Sequence, residues 1–400
     1  MINMATGRMA VMALTASLLG AACADSAPSL PQVPLAERAD SAGVEIVINT
    51  GLDRPLEWRA EQRFRLGGAD AGPEAFYRTG DSNIQTDEAG NIFVLDRGNF
   101  RVVVFDSTGA HVRTVGKQGG GPGELEFPLN LAVSPAGEIS VLDISKMSLV
   151  RFAPDGSLAE PQRATLQFNG SRLVMLRGGL VTADVNRDPA LEDLVQRLLS
   201  IDGADTVELT RVSQPMPRSV RFESCGISLA GIEPIFAPTI VWDAAGEEIV
   251  VNRDAAYVVD RYHGNRPVSS IRRALPARPA THALVVAELG EGMRFGGSGG
   301  VIVCEADDVA EQRGYADFVP SIAALAVAPG GELWVRRRAV GDEESPIDVF
   351  SAESEYLGTL PTDFPYPAAF LPNGDIVVGE TNELDMEFIA VYRIVRDPAS

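Results

Sequence analysis

The chain has 400 residues, of which 45% are hydrophobic and 22% are charged, so it carries enough apolar material for a packed core. Its 34 Lys and Arg against 55 Asp and Glu give a formal net charge of −21. A field of this sign repels polyanions and supplies little phosphate neutralisation. The composition therefore excludes a disordered polymer and predicts that nucleic acid is not a partner.

The N-terminus has the three-part build of an export signal. Arg8 is the one cation, and it is followed by an apolar run over residues 9–19 and then by small residues. The run is too short for a membrane-spanning helix, which needs about 20 apolar residues. We therefore predict a signal peptide over residues 1–22 and an exported protein.

The sequence LGAAC at the end of this segment resembles the lipobox of bacterial lipoproteins, although Gly20 stands where an aliphatic residue is usual. The resemblance implies that Cys23 becomes the new N-terminus and carries lipid, which holds the protein on a membrane surface of the cell envelope. Ordinary signal peptidase cleavage nearby, with Cys23 incidental, is the alternative. Residues 23–42 are rich in Pro, Ser, Ala and Asp, and they are predicted to form a flexible tether.

Two segments that begin at Asn83 and Asn130 repeat one pattern. Short apolar or alternating runs are separated by EAGN and STGA in the first copy, as is typical of strands joined by tight hairpins. About four strands in about 45 residues is the period of a propeller blade. The positions that match at a spacing of 47 residues are Gly90 and Gly137, Asp96 and Asp143, Phe105 and Phe152, and Gly109 and Gly156.

Four weaker copies follow, and their first strands begin near Ser171, Thr239, Ile322 and Pro367. The sixth copy lacks its outer strand. Residues 63–76 match residues 113–127, which carry an outer strand and the connection after it, so the strand near Phe64 is expected to fill the missing place. The sequence therefore predicts an all-β fold, a six-bladed β-propeller over residues 43–400 closed by an N-terminal strand that completes the last blade.

The glycine-rich stretch at residues 116–128, GKQGGGPGELEFP, is predicted to connect the outer strand of one blade to the inner strand of the next. No G-x-x-x-x-G-K-[ST] motif is present there and no helix pattern begins there, which argues against phosphate binding.

These repeats resemble the NHL-type six-bladed β-propeller family, specifically its exported bacterial lipoprotein group. The residues that carry the resemblance are GGGPGELEFP, AGNIFVLDRGNFRVVVFDSTG and GELWV. Asp96 and Arg101 match usual repeat positions, whereas the second copy keeps Asp143 but has Ser148 in place of the Arg. We interpret Asp96 and Arg101 as a structural pair that orients a loop.

Two long insertions, residues 213–237 and 275–320, follow the third and fourth blades and are expected to lie on one face of the ring. Each contains one cysteine, Cys225 and Cys304. An exported protein meets an oxidising compartment, so these two can pair in a disulfide across the insertions, and two buried free thiols are the alternative.

The mouth of the central channel is predicted by counting seven residues back from the hairpin glycines. This assigns a neutral ring of candidate binding residues, with no histidine and no carboxylate: Asn83, Asn130, Ser171 and Thr239, with Ala324 and Pro367 completing it. The chain's histidines are not expected to converge, and no catalytic residue, metal ligand or cofactor is assigned. A Ca²⁺ site or an acid/base pair stays open as an alternative.

Together these features predict a cell-envelope binding or scaffold propeller, not an enzyme. Its loop-bearing face is expected to bind an envelope protein, a peptide or a glycan. The alternative from a different class is a metal-assisted hydrolase or lyase, similar to a lactonase, that acts at the channel mouth.

Overall fold

A computed structural model describes residues 36–68, 75–163, 168–188, 193–202, 205–216, 218–297 and 300–396. Six sheets form a ring of blades, which confirms the predicted six-bladed β-propeller. The predicted signal peptide and Cys23 lie outside the described residues.

The first three blades each have four antiparallel strands, in chain order from the channel outwards. Blade 1 consists of Ile84–Thr86, Ile92–Asp96, Arg101–Phe105 and His111–Val115. Blade 2 consists of Pro128–Val133, Ile139–Asp143, Ser148–Phe152 and Gln162–Arg163. Blade 3 consists of Phe168–Leu176, Gly179–Asp188, Asp193–Asp202 and Asp205–Pro215.

The other three blades follow the same plan, with additions from the N-terminal part of the chain. Blade 4 consists of Val241–Ala245, Glu248–Asn252, Val258–His263 and Arg266–Arg273. Blade 5 consists of Ile322–Val327, Leu333–Arg337, Ile347–Phe350 and Tyr356–Leu360. Blade 6 consists of Ala369–Phe370, Ile376–Thr381, Glu387–Val395 and Arg59–Gly67.

The core lies between neighbouring blades, because successive side chains of a strand point to opposite faces of its sheet. In blade 1, Val94 and Val103 pack towards blade 6, whereas Phe93 and Val104 pack towards blade 2. All four side chains are fully buried. Runs such as IFVLD and RVVVF are apolar at consecutive positions because each central strand is covered on both faces.

The ring is closed by the two ends of the propeller sequence. Arg59–Gly67 runs antiparallel to Glu387–Val395, with Phe64 opposite Val391. The predicted closure by a strand near Phe64 is therefore confirmed, and it removes a sheet edge that would otherwise be open to pairing with another chain.

The predicted tether is wrong at its C-terminal end. Ala36–Ser41 pairs with Val44–Asn49, and that second strand pairs in parallel with the outer strand of blade 4. The chain then crosses the outer edge of blade 5, where the Leu56 amide donates a hydrogen bond of 2.8 Å to the Thr359 carbonyl. Residues 36–67, called the belt below, thus cover the outer edges of blades 4 to 6 in turn.

A buried ion-pair network fixes the belt to blades 4 and 5. Arg273 and Asp348 have fully buried side chains, and their Nη1 and Oδ2 atoms are 2.8 Å apart. Arg273 also lies 3.0 Å from Asp53 of the belt, and the Tyr257 hydroxyl donates to Asp348. Removing one partner from such a network leaves an uncompensated charge in the interior, so the network opposes separation of the belt from the ring.

The connections between blades are held by the repeat aspartates. Asp96 accepts a hydrogen bond from Arg101 Nε at 2.9 Å and another from the Tyr77 amide at 3.0 Å, which confirms the structural pair. Asp143 accepts from the Glu126 amide at 2.7 Å in the next connection. These carboxylates orient the chain as it enters each blade.

The glycine-rich stretch connects His111–Val115 to Pro128–Val133, as predicted. Gly119 has φ 147° there, and a Cβ atom at this position would lie 2.2 Å from an oxygen of Glu124. Glycine is needed because the connection folds tightly onto itself.

Leu66→Ala tests the closing strand. Leu66 is 7% exposed in the core between blades 6 and 1, so we expect the free energy of unfolding to fall by about 2–4 kcal/mol from lost burial and a residual cavity. Chemical denaturation measures the change. The control is Leu52→Ala, whose side chain is 79% exposed and which should change stability by less than about 0.5 kcal/mol. Equal effects of the two substitutions would contradict the closure.

Candidate functional site

The two insertions fold together on the face where blades are connected, and we call residues 218–240 and 275–320 the crown. The outer strand of blade 3 extends further than predicted, since residues 213–215 belong to it. The crown also has regular structure of its own. Its strands and helices are Arg218–Arg221, Ser228–Ile232, Arg278–Pro279, α1 (His282–Leu289), Met293–Gly297, Gly300–Cys304, α2 (Ala306–Arg313) and Phe318–Val319.

A disulfide joins the two halves of the crown. Cys225 and Cys304 are bonded, with Cα atoms 4.9 Å apart and a sequence separation of 79. Next to the bridge, the Ser224 hydroxyl donates to Asp308 Oδ2 at 2.7 Å and accepts from the Glu305 amide. A cross-link that closes a loop of this length stabilises a fold by about 4 kcal/mol on the chain-entropy estimate.

Two small apolar cores hold the crown on the ring. Phe222, with no exposed surface, packs against Cys304 and Val309 beneath the disulfide. Ile235 and Val285 belong to the second core, which also includes Val340 from the edge of blade 5. The crown is therefore a folded unit seated on the propeller and not a pair of open loops.

The crown exposes an apolar strand. In Gly300–Cys304, the side chains of Val301, Ile302 and Val303 are 58%, 50% and 40% exposed. Within the described part of the chain this strand has one neighbour, Met293–Gly297, so its other edge is unpaired there. Exposed apolar side chains beside open backbone donors and acceptors are typical of a surface that binds another chain.

Beneath the crown lies a cavity of about 230 Å³. Thr239 lines it together with Glu233, Arg313 and Arg338. Burial lowers the pKa of Arg313, whose Nε donates a hydrogen bond to the Glu233 carbonyl. This cavity separates the crown from the inner strands of blades 4 and 5.

The predicted ring of channel residues is dispersed. Asn83 and Asn130 are each 2% exposed at the start of their blades, and the side-chain oxygen of each is buried without a hydrogen-bond partner. Thr239 faces the cavity beneath the crown. Ser171 lies in Phe168–Leu176, and its side chain is outside the described set. A binding role for these four residues stays a prediction.

A second cavity occupies the channel from the opposite end. It has a volume of about 480 Å³ and is lined by the inner strands of all six blades. Its rim consists of the hairpins between first and second strands: Glu88, Pro135, Arg177, Glu247, Pro329 and Pro372. The channel therefore opens on the face away from the crown, which the repeat pattern had not indicated.

An ion pair lies at the deep end of this central cavity. Arg172 of blade 3 and Asp243 of blade 4 have Nη1 and Oδ1 atoms 3.0 Å apart. Arg172 also donates to the Ala368 carbonyl of blade 6, and the Val327 amide of blade 5 donates to Asp243 Oδ2. Burial raises the pKa of Asp243, and the Arg172 charge opposes that change. The channel thus contains a carboxylate, Asp243, outside the predicted ring of residues.

No single count from the hairpin glycines could have found this pair. Asp243 and Arg172 lie three and six residues before Gly246 and Gly178, whereas the predicted ring used the seventh position and so sampled the crown side alone.

The histidines lie apart. His111 contacts Thr114, His263 lies 2.8 Å from Glu247, and His282 lies 2.9 Å from Asp307 of the crown. Over the described ranges, no group of three or more His, Cys, Asp or Glu side chains is placed to hold a metal ion. Nor does any helix of those ranges have the length and apolar character to cross a membrane.

Comparison with known proteins agrees with the fold. A family model described as a 6-bladed beta-propeller matches residues 80–173. No curated protein matches the chain. The matched segment includes all of blade 1 and blade 2, where the repeat pattern is clearest.

Solved structures of other proteins are also similar to this chain. A candidate exported protein of Bacteroides fragilis is 14% identical, with a TM-score of 0.50 over 88% of this chain and 100% of that one. A Bacteroides vulgatus member of the DUF4221 family is 10% identical, with a TM-score of 0.47 over 86% and 100%. A gluconolactonase from Xanthomonas campestris is 13% identical, with a TM-score of 0.35 over 85% and 99%. The first of these likenesses shows a shared fold.

Asp243→Asn tests the buried carboxyl. The raised pKa means that the native protein binds this proton more tightly than the unfolded chain does. The contribution of Asp243 to the free energy of unfolding therefore falls as the pH rises from 3.8 to the raised pKa, by about 1.4 kcal/mol per pH unit within that window. The difference between wild type and variant, measured by denaturation across pH, should decline over the same window. A difference that stays flat across pH would contradict the assignment.

Proposed function

We propose that this chain is an exported binding protein of the cell envelope, held on a membrane surface by lipid on Cys23. Its crown binds a partner there, and a protein or peptide fits the exposed surface best among the expected classes. On this proposal the molecule belongs with the NHL-type lipoprotein propellers that its repeats resemble.

The observation that carries the proposal is the apolar strand Gly300–Cys304 on a rigid support. Val301, Ile302 and Val303 are exposed in succession, while Cys304 at the strand's end is fully buried and disulfide-bonded. A support that is already ordered loses little conformational entropy when a partner binds. An extended segment of a partner can add to the open edge through backbone hydrogen bonds, with its apolar side chains against the crown.

The position of the belt is compatible with the anchor. Ala36 pairs with Asn49, which pairs with Arg273 at the end of blade 4 that leads into the crown. The chain therefore leaves the ring on the crown's side. Residues 23–35 can span at most about 45 Å when fully extended, so an anchored propeller stays within that distance of the membrane.

A metal-assisted hydrolase or lyase acting in the channel is the second candidate. The observation that favours it is the buried Asp243, because a carboxyl with a raised pKa in a cavity suits acid/base chemistry. Stoichiometric Ca²⁺ or Zn²⁺ in the purified protein, with turnover of lactones or esters that chelation abolishes, would favour this candidate over the binding protein.

Ile302→Lys tests the crown surface. The full-length protein is used for affinity capture from envelope extract, and the retained partner is identified and then titrated. We expect the substitution to weaken its binding at least about tenfold, because a charge replaces a desolvated apolar contact. Leu52→Lys is the matched control, since Leu52 is an accessible apolar side chain on the belt.

Deletion of residues 275–320 should also abolish binding of the partner. If Ile302→Lys and Leu52→Lys have the same affinity for the partner, or if the protein without residues 275–320 still binds it, the crown is not the binding surface.

Cys23→Ser tests the anchor. Without a thiol there is no site for acylation, so the protein should move from the membrane fraction to the soluble envelope fraction, as measured by fractionation and immunoblotting. Cys225→Ser removes a cysteine of the disulfide instead and should leave the protein with the membrane. Unchanged membrane association of Cys23→Ser would refute lipidation.

A further inference from the structure

The central cavity lies on the face opposite the crown and is separate from the surface proposed above. Its volume of about 480 Å³ falls in the range of sites that bind small molecules. Most of its wall is apolar, with Val133, Val174, Ala326 and Phe370 contributed by four different blades. Because the wall consists of inner strands, the cavity is preformed by the ring itself.

The deep end of the cavity presents a cation. The Arg172 side chain is 23% exposed, whereas that of its partner Asp243 is 5% exposed. Most of the exposed surface of this ion pair therefore belongs to the Arg172 side chain. A guanidinium is a fork of N–H donors without acceptors, so an oxyanion such as a carboxylate is a suitable ligand. Arg172 is also fixed by the Ala368 carbonyl, which holds it at the cavity.

The mouth of the cavity has the opposite character. Glu88 and Glu247 are exposed carboxylates on the hairpins of blades 1 and 4, and both line the cavity. Arg177 of blade 3 is ion-paired with Glu88 across the hairpin of blade 2. These side chains are two carboxylates and one arginine, and Glu247 also lies 2.8 Å from His263. The molecule as a whole has a net charge of −21. This field attracts a cationic group.

We propose that the cavity binds a short zwitterionic ligand of the peptide type, a free dipeptide or tripeptide with small apolar side chains. Its carboxylate contacts Arg172 at the deep end, its ammonium group lies among Glu88 and Glu247 at the mouth, and its apolar side chains contact the wall. The ammonium group replaces Arg177 as the partner of Glu88, so the exposed ion pair opens when the ligand enters.

The probe is trialanine, compared with its N-acetylated and its C-amidated forms, by ligand-observed NMR on the full-length protein. The free peptide should bind, and each cap should weaken binding at least about tenfold, since each removes one charge-assisted contact. Absence of trialanine binding at millimolar peptide, or equal binding of all three peptides, would overturn the proposal.

Glu247→Gln and Glu88→Gln localise the ammonium group. Both side chains are exposed, so the variants should keep the unfolding transition of the wild type. The variants should bind free and C-amidated trialanine more weakly than the wild type does. Their affinity for the N-acetylated form should be unchanged. Glu291→Gln on the crown hairpin is the matched control and should leave all three affinities as they are.

Arg172→Met localises the carboxylate and should abolish the discrimination between free and C-amidated peptide. Because Arg172 joins three blades, its unfolding transition is measured first, and if the variant does not fold, the two glutamate variants decide alone. If Ile302→Lys loses trialanine binding and Glu247→Gln keeps it, the site lies on the crown and the proposal is overturned. The result does not depend on whether the crown binds a partner protein.

Discussion

Pairing of Arg59–Gly67 with Glu387–Val395 is the constraint on which the rest of the structure depends. Blades pack only against their neighbours, so a ring with one incomplete blade would expose both a sheet edge and the apolar faces beside it. With the ring closed, the inner strands surround a cavity of fixed shape, and the connections between blades converge on one face. The crown and the central cavity are both consequences of that closure.

The two faces of the ring differ in how they are built. On one face, two insertions fold into a disulfide-linked unit with an exposed apolar strand, Gly300–Cys304. On the other face, short hairpins leave the channel open and place charged residues such as Glu88 and Arg177 at its rim. A large binding partner and a small ligand can therefore be accommodated without competing for the same atoms.

The repeated part of the fold, the ring of blades, could be predicted from the sequence. The spacing of 47 residues indicated the blades, and the match near Phe64 indicated the closure. The crown has no second copy in the chain, so its short helices could not be recognised by comparison, and α1 depends on contacts such as those of Val285 in a core that both insertions share. Ala36–Ser41 has the composition of a linker and becomes a strand because the next strand offers it backbone partners. Asp243 could not be predicted as a channel residue, because only tertiary packing decides which strand positions face the channel.

The order of the chain has a consequence for how this molecule is made. The segment Arg59–Gly67 is synthesised early, and its partner Glu387–Val395 follows about 320 residues later. Until then the early strand has no place in any blade, and contacts so distant in sequence form slowly. The propeller is thus completed only when the strand Glu387–Val395 has been made, and folding includes an interval in which an unpaired strand must be kept from other chains.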